Sequence, residues 1–250
     1  MGELQGVYAI WLREFTVYLR ERERAIASII TPLLWIFAFG SGLGATVAIS
    51  GTNYQTFIFP GIMAMNVLFT SVFYGMYIIW DRKLDFLKEV LVAPLSRKSV
   101  FIGKMLGGVT DSMIQVSVLF IIGYFIGIPL TPASIIASFI ILFLVAVCMT
   151  SIGLFFGAML STMESFQLVM TFFIWPVFFF SGALFPLDNL PAWLAPITRI
   201  DPLTYGVDAL RTVMLGLPGM PLYISVGVLA VSSLLAMGLG MLAFERMGKI

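Results

Sequence analysis

The sequence predicts an all-α polytopic membrane protein with six transmembrane helices, and three observations carry that expectation. Of its 250 residues 60% are apolar and only 11% charged, whereas a soluble domain carries about a quarter charged residues to meet water. Six stretches are long and apolar enough to cross a bilayer, which takes about 20 residues of helix. Lysine and arginine gather in alternate gaps between those stretches, the pattern that sets membrane orientation.

Residues 1–24 come first and are amphipathic. Leu4, Tyr8, Trp11, Phe15 and Tyr18 are spaced 4, 3, 4 and 3 apart, one face of a helix that would lie in the inner headgroup layer. Its charged residues argue against a signal peptide. It reads either as an anchor for the first span or as part of a docking surface. The spans are expected at 25–48, 56–80, 99–127, 133–160, 165–183 and 221–244. The third and fourth exceed a perpendicular crossing, which implies tilt or continuation beyond the membrane. Arg13, Arg20, Arg22, Arg24, Arg82, Lys83, Lys88, Arg97, Lys98, Lys104, Arg246 and Lys249 fall on one side, and only Arg199 and Arg211 on the other. Both termini and the 81–98 loop are therefore expected in the cytoplasm.

That loop is the most charged stretch of the chain and is still half apolar. Asp81, Asp85 and Lys88 share one helical face, Leu84, Leu87 and Leu91 another, and Pro94 ends the segment. A short amphipathic helix of this kind fits a groove on a soluble partner, or lies on the inner leaflet. On the outer side, 184–217 is too apolar for a solvated loop, and prolines at 186, 191, 196 and 202 preclude one long helix. Short helices dipping into the outer leaflet satisfy both facts. Trp193 belongs at headgroup depth, and Asp208 and Arg211 are spaced to form an ion pair. This segment is either a structural cap or an outer gate built from Phe185, Pro186, Pro191, Trp193, Asp201, Pro202, Tyr205 and Arg211.

Within the spans the clear acid is Asp111, with Gln115 four residues on. An intramembrane acid is a functional hypothesis by default, although here it could also bond neighbouring helices. Phe57, Phe69, Phe73, Phe172 and Phe179 are either lipid-facing filler or the wall of a route, and an aromatic wall poor in charge suits an amphiphile or stacked sugar rings. Small-residue pairs such as Gly103/Gly107 and Gly153/Gly157 are read as ordinary close packing.

Absences narrow the chemistry. The chain has no histidine, one cysteine (Cys148) and no phosphate-binding GxxxxGK[ST] loop, so no catalytic, metal or cofactor site is expected in it. A net charge of +1 without a basic block offers nucleic acid nothing.

Two passages then carry a resemblance over essentially the whole chain. Glu89 to Arg97 ends in Pro94-Leu95-Ser96-Arg97 just before the third span. Ser181 to Pro186 is followed by Leu190 to Leu194 and by Asp201-Pro202-Leu203-Thr204-Tyr205 up to Arg211. In this order the chain resembles the membrane permease of the ABC type-2 exporter family, in its compact branch of drug, lipid-linked oligosaccharide and polysaccharide exporters. The resemblance implies a coupling helix within 81–95, with Asp81, Arg82, Asp85, Lys88, Glu89, Pro94 and Arg97 at an ATPase interface. It implies a connecting helix near 5–23 and re-entrant helices over 184–212. It further implies two ATP-binding-cassette ATPase chains carrying ATP and magnesium, a second permease chain (identical or related), and a route along the first, second and fifth spans. The location expected is the inner membrane of a prokaryote. A proton-coupled secondary transporter or channel centred on Asp111 is the rival class, and a lipid-group transferase a third.

Overall fold

Apolar backbone without water must satisfy its own hydrogen bonds, and helices do so locally. The computed structural model describes residues 2–44, 48–49, 52–84, 95–187 and 191–247. Over these the chain is made of helices joined by turns and loops, with one ladder of two strands, Ala48–Ile49 and Thr52–Asn53. The helices are α1 (Glu3–Arg20), α2 (Arg22–Gly44), α3 (Tyr54–Phe73), α4 (Met76–Lys83), α5 (Arg97–Phe125), α6 (Pro132–Met159) and α7 (Met163–Val169). A π turn at Met170–Ile174 leads into α8 (Trp175–Phe180), followed by α9 (Ala195–Ile200), α10 (Pro202–Leu215) and α11 (Leu222–Arg246).

Five helical runs are long and apolar enough to cross a membrane: Tyr54–Lys83, Arg97–Phe125, Pro132–Met159, Met163–Phe180 and Leu222–Arg246. The remaining expected crossing, the first, falls on α2, whose apolar stretch Ile26–Gly40 is shorter than the others. The first run is α3 and α4 joined through a turn at Tyr74 and Gly75. The fourth is broken because Pro176 has no N–H for the Phe172 carbonyl, and the turn before it widens to π geometry.

α3 is the axis of the core. Residues 57–68 of it are all buried, against α2, α5, α6 and α10. Glycines let backbones touch where the chain turns into α4: a Cβ at Gly75 would lie 1.9 Å from the Gly153 carbonyl oxygen, and one at Gly157 2.2 Å from that of Gly75. α10 reaches far along α6. A Cβ at Gly206 would lie 2.7 Å from Val145, about 20 Å from the start of α6 at roughly 1.5 Å per residue.

α1 splits its expected aromatic face between exposed and buried positions. Its buried positions are Gly6, Ile10, Glu14 and Tyr18, while Leu4 and Tyr8 are exposed. The face that holds α1 in place thus mixes a glycine, an isoleucine, a carboxylate and Tyr18 of the aromatic set. It lies on α5 because Gly103 admits Ile10 and Gly107 admits Glu14, each within 2.8 Å of a would-be Cβ. Leu4 and Tyr8 face outward, Tyr18 is buried, and the Trp11 indole N–H donates to Thr110 Oγ1 at 3.0 Å.

Candidate functional site

At the α1 end of the bundle lies a buried ion cluster. Lys104, on α5 and 1% exposed, donates to Glu14 Oε1 of α1 at 2.8 Å and to Asp81 Oδ2 of α4 at 2.5 Å. Arg13 reaches Asp81 at 3.1 Å and Glu14 at 2.7 Å, and the Tyr74 hydroxyl donates to Glu14 at 2.7 Å. Two cations meet two carboxylates, so the charges balance where solvation is lost. Burial raises the Glu14 carboxyl, but Lys104, the Tyr74 hydroxyl and Arg13 outweigh it and hold it below its ordinary value. The Arg13 guanidinium loses solvation too, yet Asp81 and Glu14 leave it more basic than usual.

The same end ties down both flanks of 85–94. On one flank, next to Asp81, Arg82 donates to the carbonyls of Leu160 (2.9 Å) and Ala158 (3.2 Å), the open C-terminus of α6. On the other, Leu95 packs on Gly6, and the Ser96 N–H and hydroxyl donate to Glu3 of α1. Ser99 also bonds Glu3, and these hydroxyls, Ser99 first, hold the Glu3 carboxyl below its usual range. Arg97 donates to the Glu245 carbonyl at 3.3 Å, at the C-terminus of α11.

Toward the middle of the bundle a cleft of about 390 Å³ opens between α2, α3 and the broken fourth run. Trp35, Phe69, Phe73 and Trp175 wall it, and Asn66, Thr70 and Gln115 form its polar floor. Gln115 Nε2 donates to Asp111 at 2.8 Å, while its Oε1 accepts from Asn66 Nδ2 at 3.1 Å and the Thr70 hydroxyl at 2.8 Å. Phe73 also lines a second hollow of about 620 Å³ beside Arg13, Tyr77, Trp80 and Asp81, so the cleft and the ion cluster adjoin.

At the opposite end, the segment after α8 is clamped onto α3. Arg211 donates to the Ala183 carbonyl at 2.9 Å with its guanidinium 3.9 Å above the Phe57 ring, and the Tyr54 hydroxyl donates to Leu184 O. Among the described residues no ion pair joins Asp208 to Arg211: Asp208 accepts from Met220 N and the Ser225 hydroxyl. The expected pair fails because the free N–H groups ahead of α11 lie within reach of Asp208 while α3 offers Arg211 an aromatic face and a carbonyl. Asp201 caps α10 through the Leu203 N–H, and burial pushes its carboxyl up to about 7 against that bond and Thr204.

Comparison with known proteins then decides the kind of molecule this is. The model of the ABC-2 type transporter matches residues 5–215. The transport permease ycf38 of Cyanophora paradoxa is 34% identical over 215 residues, 83% of this chain and 73% of that one. The chain belongs to the ABC-2 type transporter family. Nodulation protein J of Rhizobium leguminosarum bv. viciae is 27% identical over 230 residues, 89% of this chain and 87% of its own. The inner membrane transport permease YadH of Escherichia coli (strain K12) is 27% identical over 231 residues, 89% and 88% of the two chains. This chain is a transport permease, and membership implies an ATPase partner in general.

In this ABC-2 permease the residues singled out by sequence lie in different places. Asp85, Lys88, Glu89 and Pro94 lie outside the described residues. Asp81, Arg82 and Arg97, which flank 85–94 in the chain, bond to helices of the permease itself. Of the phenylalanines, Phe69 and Phe73 reach the cleft; Phe57 sits under Arg211, Phe172 is exposed, and Phe179 stacks on Trp175. Of the outer residues, Pro186 and Arg211 share one small hollow, the Tyr205 hydroxyl donates to Arg199 O, Pro202 opens α10, Phe185 is half-buried, and Pro191 and Trp193 are exposed. Sequence reasoning does not mark Glu14, Lys104, Trp35 or Trp175 as site residues. A lysine several residues inside an apolar helix is the available signal for the first pair.

Proposed function

We propose that this chain is the membrane half of an ATP-driven exporter that moves an amphiphile out of the cytoplasm or the inner leaflet. Two copies of an ATP-binding-cassette subunit would supply hydrolysis with ATP and magnesium, and a second permease chain would complete the route. The protein would sit in a prokaryotic inner membrane with both termini and 85–94 facing the cytoplasm. The observation that carries this reading is the anchoring of both flanks of 85–94: Arg82 holds α6, Arg97 holds α11, and Asp81 joins α1 and α5 through Lys104 and Glu14. A partner gripping that segment would pull on several helix ends at once, as a lever needs. The cleft beside the cluster, aromatic and without an ionised lining group among the described residues, suits an amphiphile. Asp111, held by Gln115 and outside the cleft lining, is better placed to orient that amide than to exchange protons with a solute.

The test is affinity purification of the tagged chain from its own host, with assay of vanadate-sensitive ATPase activity. A stoichiometric ATPase subunit is expected, and Lys88→Ala with Glu89→Ala should reduce transport per ATP hydrolysed by about tenfold or more while the chain stays folded. Purification of the chain alone, or normal transport by the double variant, would sink the proposal.

A further inference from the structure

Asp201 is the acid at the junction of α9 and α10, and it is buried deep in the bundle. It is 7% exposed, and among the described residues no ion pair reaches it. Its Oδ1 accepts from the Leu203 N–H at 2.9 Å, while Oδ2 has the Thr204 hydroxyl at a long 3.4 Å. It interacts with Cys148 of α6, which lies about 24 Å from the start of that helix at roughly 1.5 Å per residue. An ionised carboxylate in such a place is desolvated without a counter-charge, a cost that a bound proton removes.

The two sides of Asp201 differ. On one lies an apolar pocket of about 240 Å³, walled by Met149, Ile152, Phe173, Val177, Ile197 and Ile200. Asp201 is the one hydrogen-bonding side chain among its described lining residues, so no proton is relayed that way. On the other side Thr204 touches both the carboxyl and a polar hollow of about 70 Å³. Thr204, Asp208 and Thr212 line that hollow from one face of α10, and Pro218 and Gly219, which also line it, are exposed. Its volume has room for water. The Thr212 hydroxyl is buried without a partner among the described residues, which is a place for one. The other titratable or charged groups near the junction are Cys148 on α6, the exposed Arg199 on α9, Tyr205, whose hydroxyl is bonded to the Arg199 carbonyl, and the oppositely charged Asp208 and Arg211 at the hollow.

We infer that Asp201 is a proton-binding site that exchanges with the medium at the far end of α10, along Thr212, Asp208 and Thr204, and is closed to the α1 side. A proton arriving from the α10 side is handed over hydroxyls and water to a carboxylate oxygen of Asp201 and leaves the same way. Loss of the proton leaves a charge against the apolar pocket, so the α9–α10 pair is held most firmly when the site is filled. The site stands whether or not an ATPase drives the chain.

The test uses the full chain in membrane vesicles from its host, with pH set separately on the two sides. The probe is dicyclohexylcarbodiimide, a lipid-soluble reagent for protonated carboxyls in apolar surroundings. A tag ahead of α1, cleaved by added protease, tells the α1 side from the α10 side. Modification is expected on the peptide that holds Asp201, severalfold more at pH 5.5 than at pH 8 on the α10 side, and unmoved by pH on the α1 side. Asp201→Asn should lose that label. Thr212→Leu fills the hollow with an apolar side chain and leaves the Leu203 and Thr204 bonds in place. Labelling in that variant should follow an α10-side pH step severalfold more slowly, whereas loss of structure would open the carboxyl to both sides. Labelling that follows the α1-side pH, that ignores pH on both sides or that misses Asp201 overturns the site, and a Thr212→Leu chain as fast as the parent overturns the route. The assay needs no nucleotide, so it fails separately from the exporter reading.

Discussion

Lys104 shows how one side chain can decide the geometry of three helices. Its ammonium is buried between carboxylates from α1 and α4, and without it Arg13 would be the one cation of the cluster left to them, with the Tyr74 hydroxyl still on Glu14. Lys104→Met should lower stability by about 3–5 kcal/mol, because an unpaired buried charge costs far more than the intact pair contributes. Glu14→Gln in the same chain removes the stranded carboxylate and should recover part of that loss. Melting of the single and double variants in one lipid measures both effects, and equal melting of Lys104→Met and the parent would mean that water already reaches the cluster.

At the scale of elements, the crossing of the α3–α4 run with α6 depends on backbone contact. A Cβ at Gly153 would lie 2.4 Å from the Val72 carbonyl oxygen, with no flexible side chain to move aside. Gly153→Ala must therefore separate the helices, and overpacking of this kind costs about 1–3 kcal/mol or more. Gly238→Ala is the matched control: nothing lies within 4 Å of its would-be Cβ, and alanine is the better helix former. Thermal unfolding should separate the two clearly. The small-residue pairs read in the sequence as ordinary packing, and Gly153 and Gly157 do pack. Their partner is Gly75, in a turn that divides an otherwise continuous apolar run. Helical periodicity reports faces along one helix and carries no information about which turn of another helix lies opposite.

Across the whole molecule the two ends carry opposite pH responses. Glu14, at the α1 end, has a folded value below its ordinary one. It contributes stability above the unfolded carboxyl range, and that contribution is lost as pH falls through the folded value. Asp201, at the α9–α10 end, is raised from 3.8 to about 7. The folded chain then binds more protons than the unfolded one between those values, so this contribution is present at low pH and is lost as pH rises from about 4 through 7. Hydrogen exchange corrected for its intrinsic pH dependence should show α10 peptides less protected at pH 8 than at pH 5.5, with the α1 and α5 peptides unchanged over that window. Asp201→Asn keeps the Leu203 cap and should remove the difference; an unaltered α10 profile in that variant would refute the assignment to Asp201.

Composition, apolar runs and punctuation by proline and charge were enough to make this an all-helical membrane protein and, with Pro94 to Arg97 and Asp201 to Arg211, to mark its family. Those properties are local: a helix in lipid satisfies its backbone within one segment, whatever lies beside it. What only the tertiary structure decided is which polar groups meet. Lys104 is 23 residues from Asp81 and 90 from Glu14, Gln115 is 49 from Asn66, and Arg211 is 28 from Ala183. Spacing along the chain ranks none of these pairs above its alternatives. In a low-dielectric interior each buried charge or amide must find a partner, and the packing of the helices determines which one lies within reach.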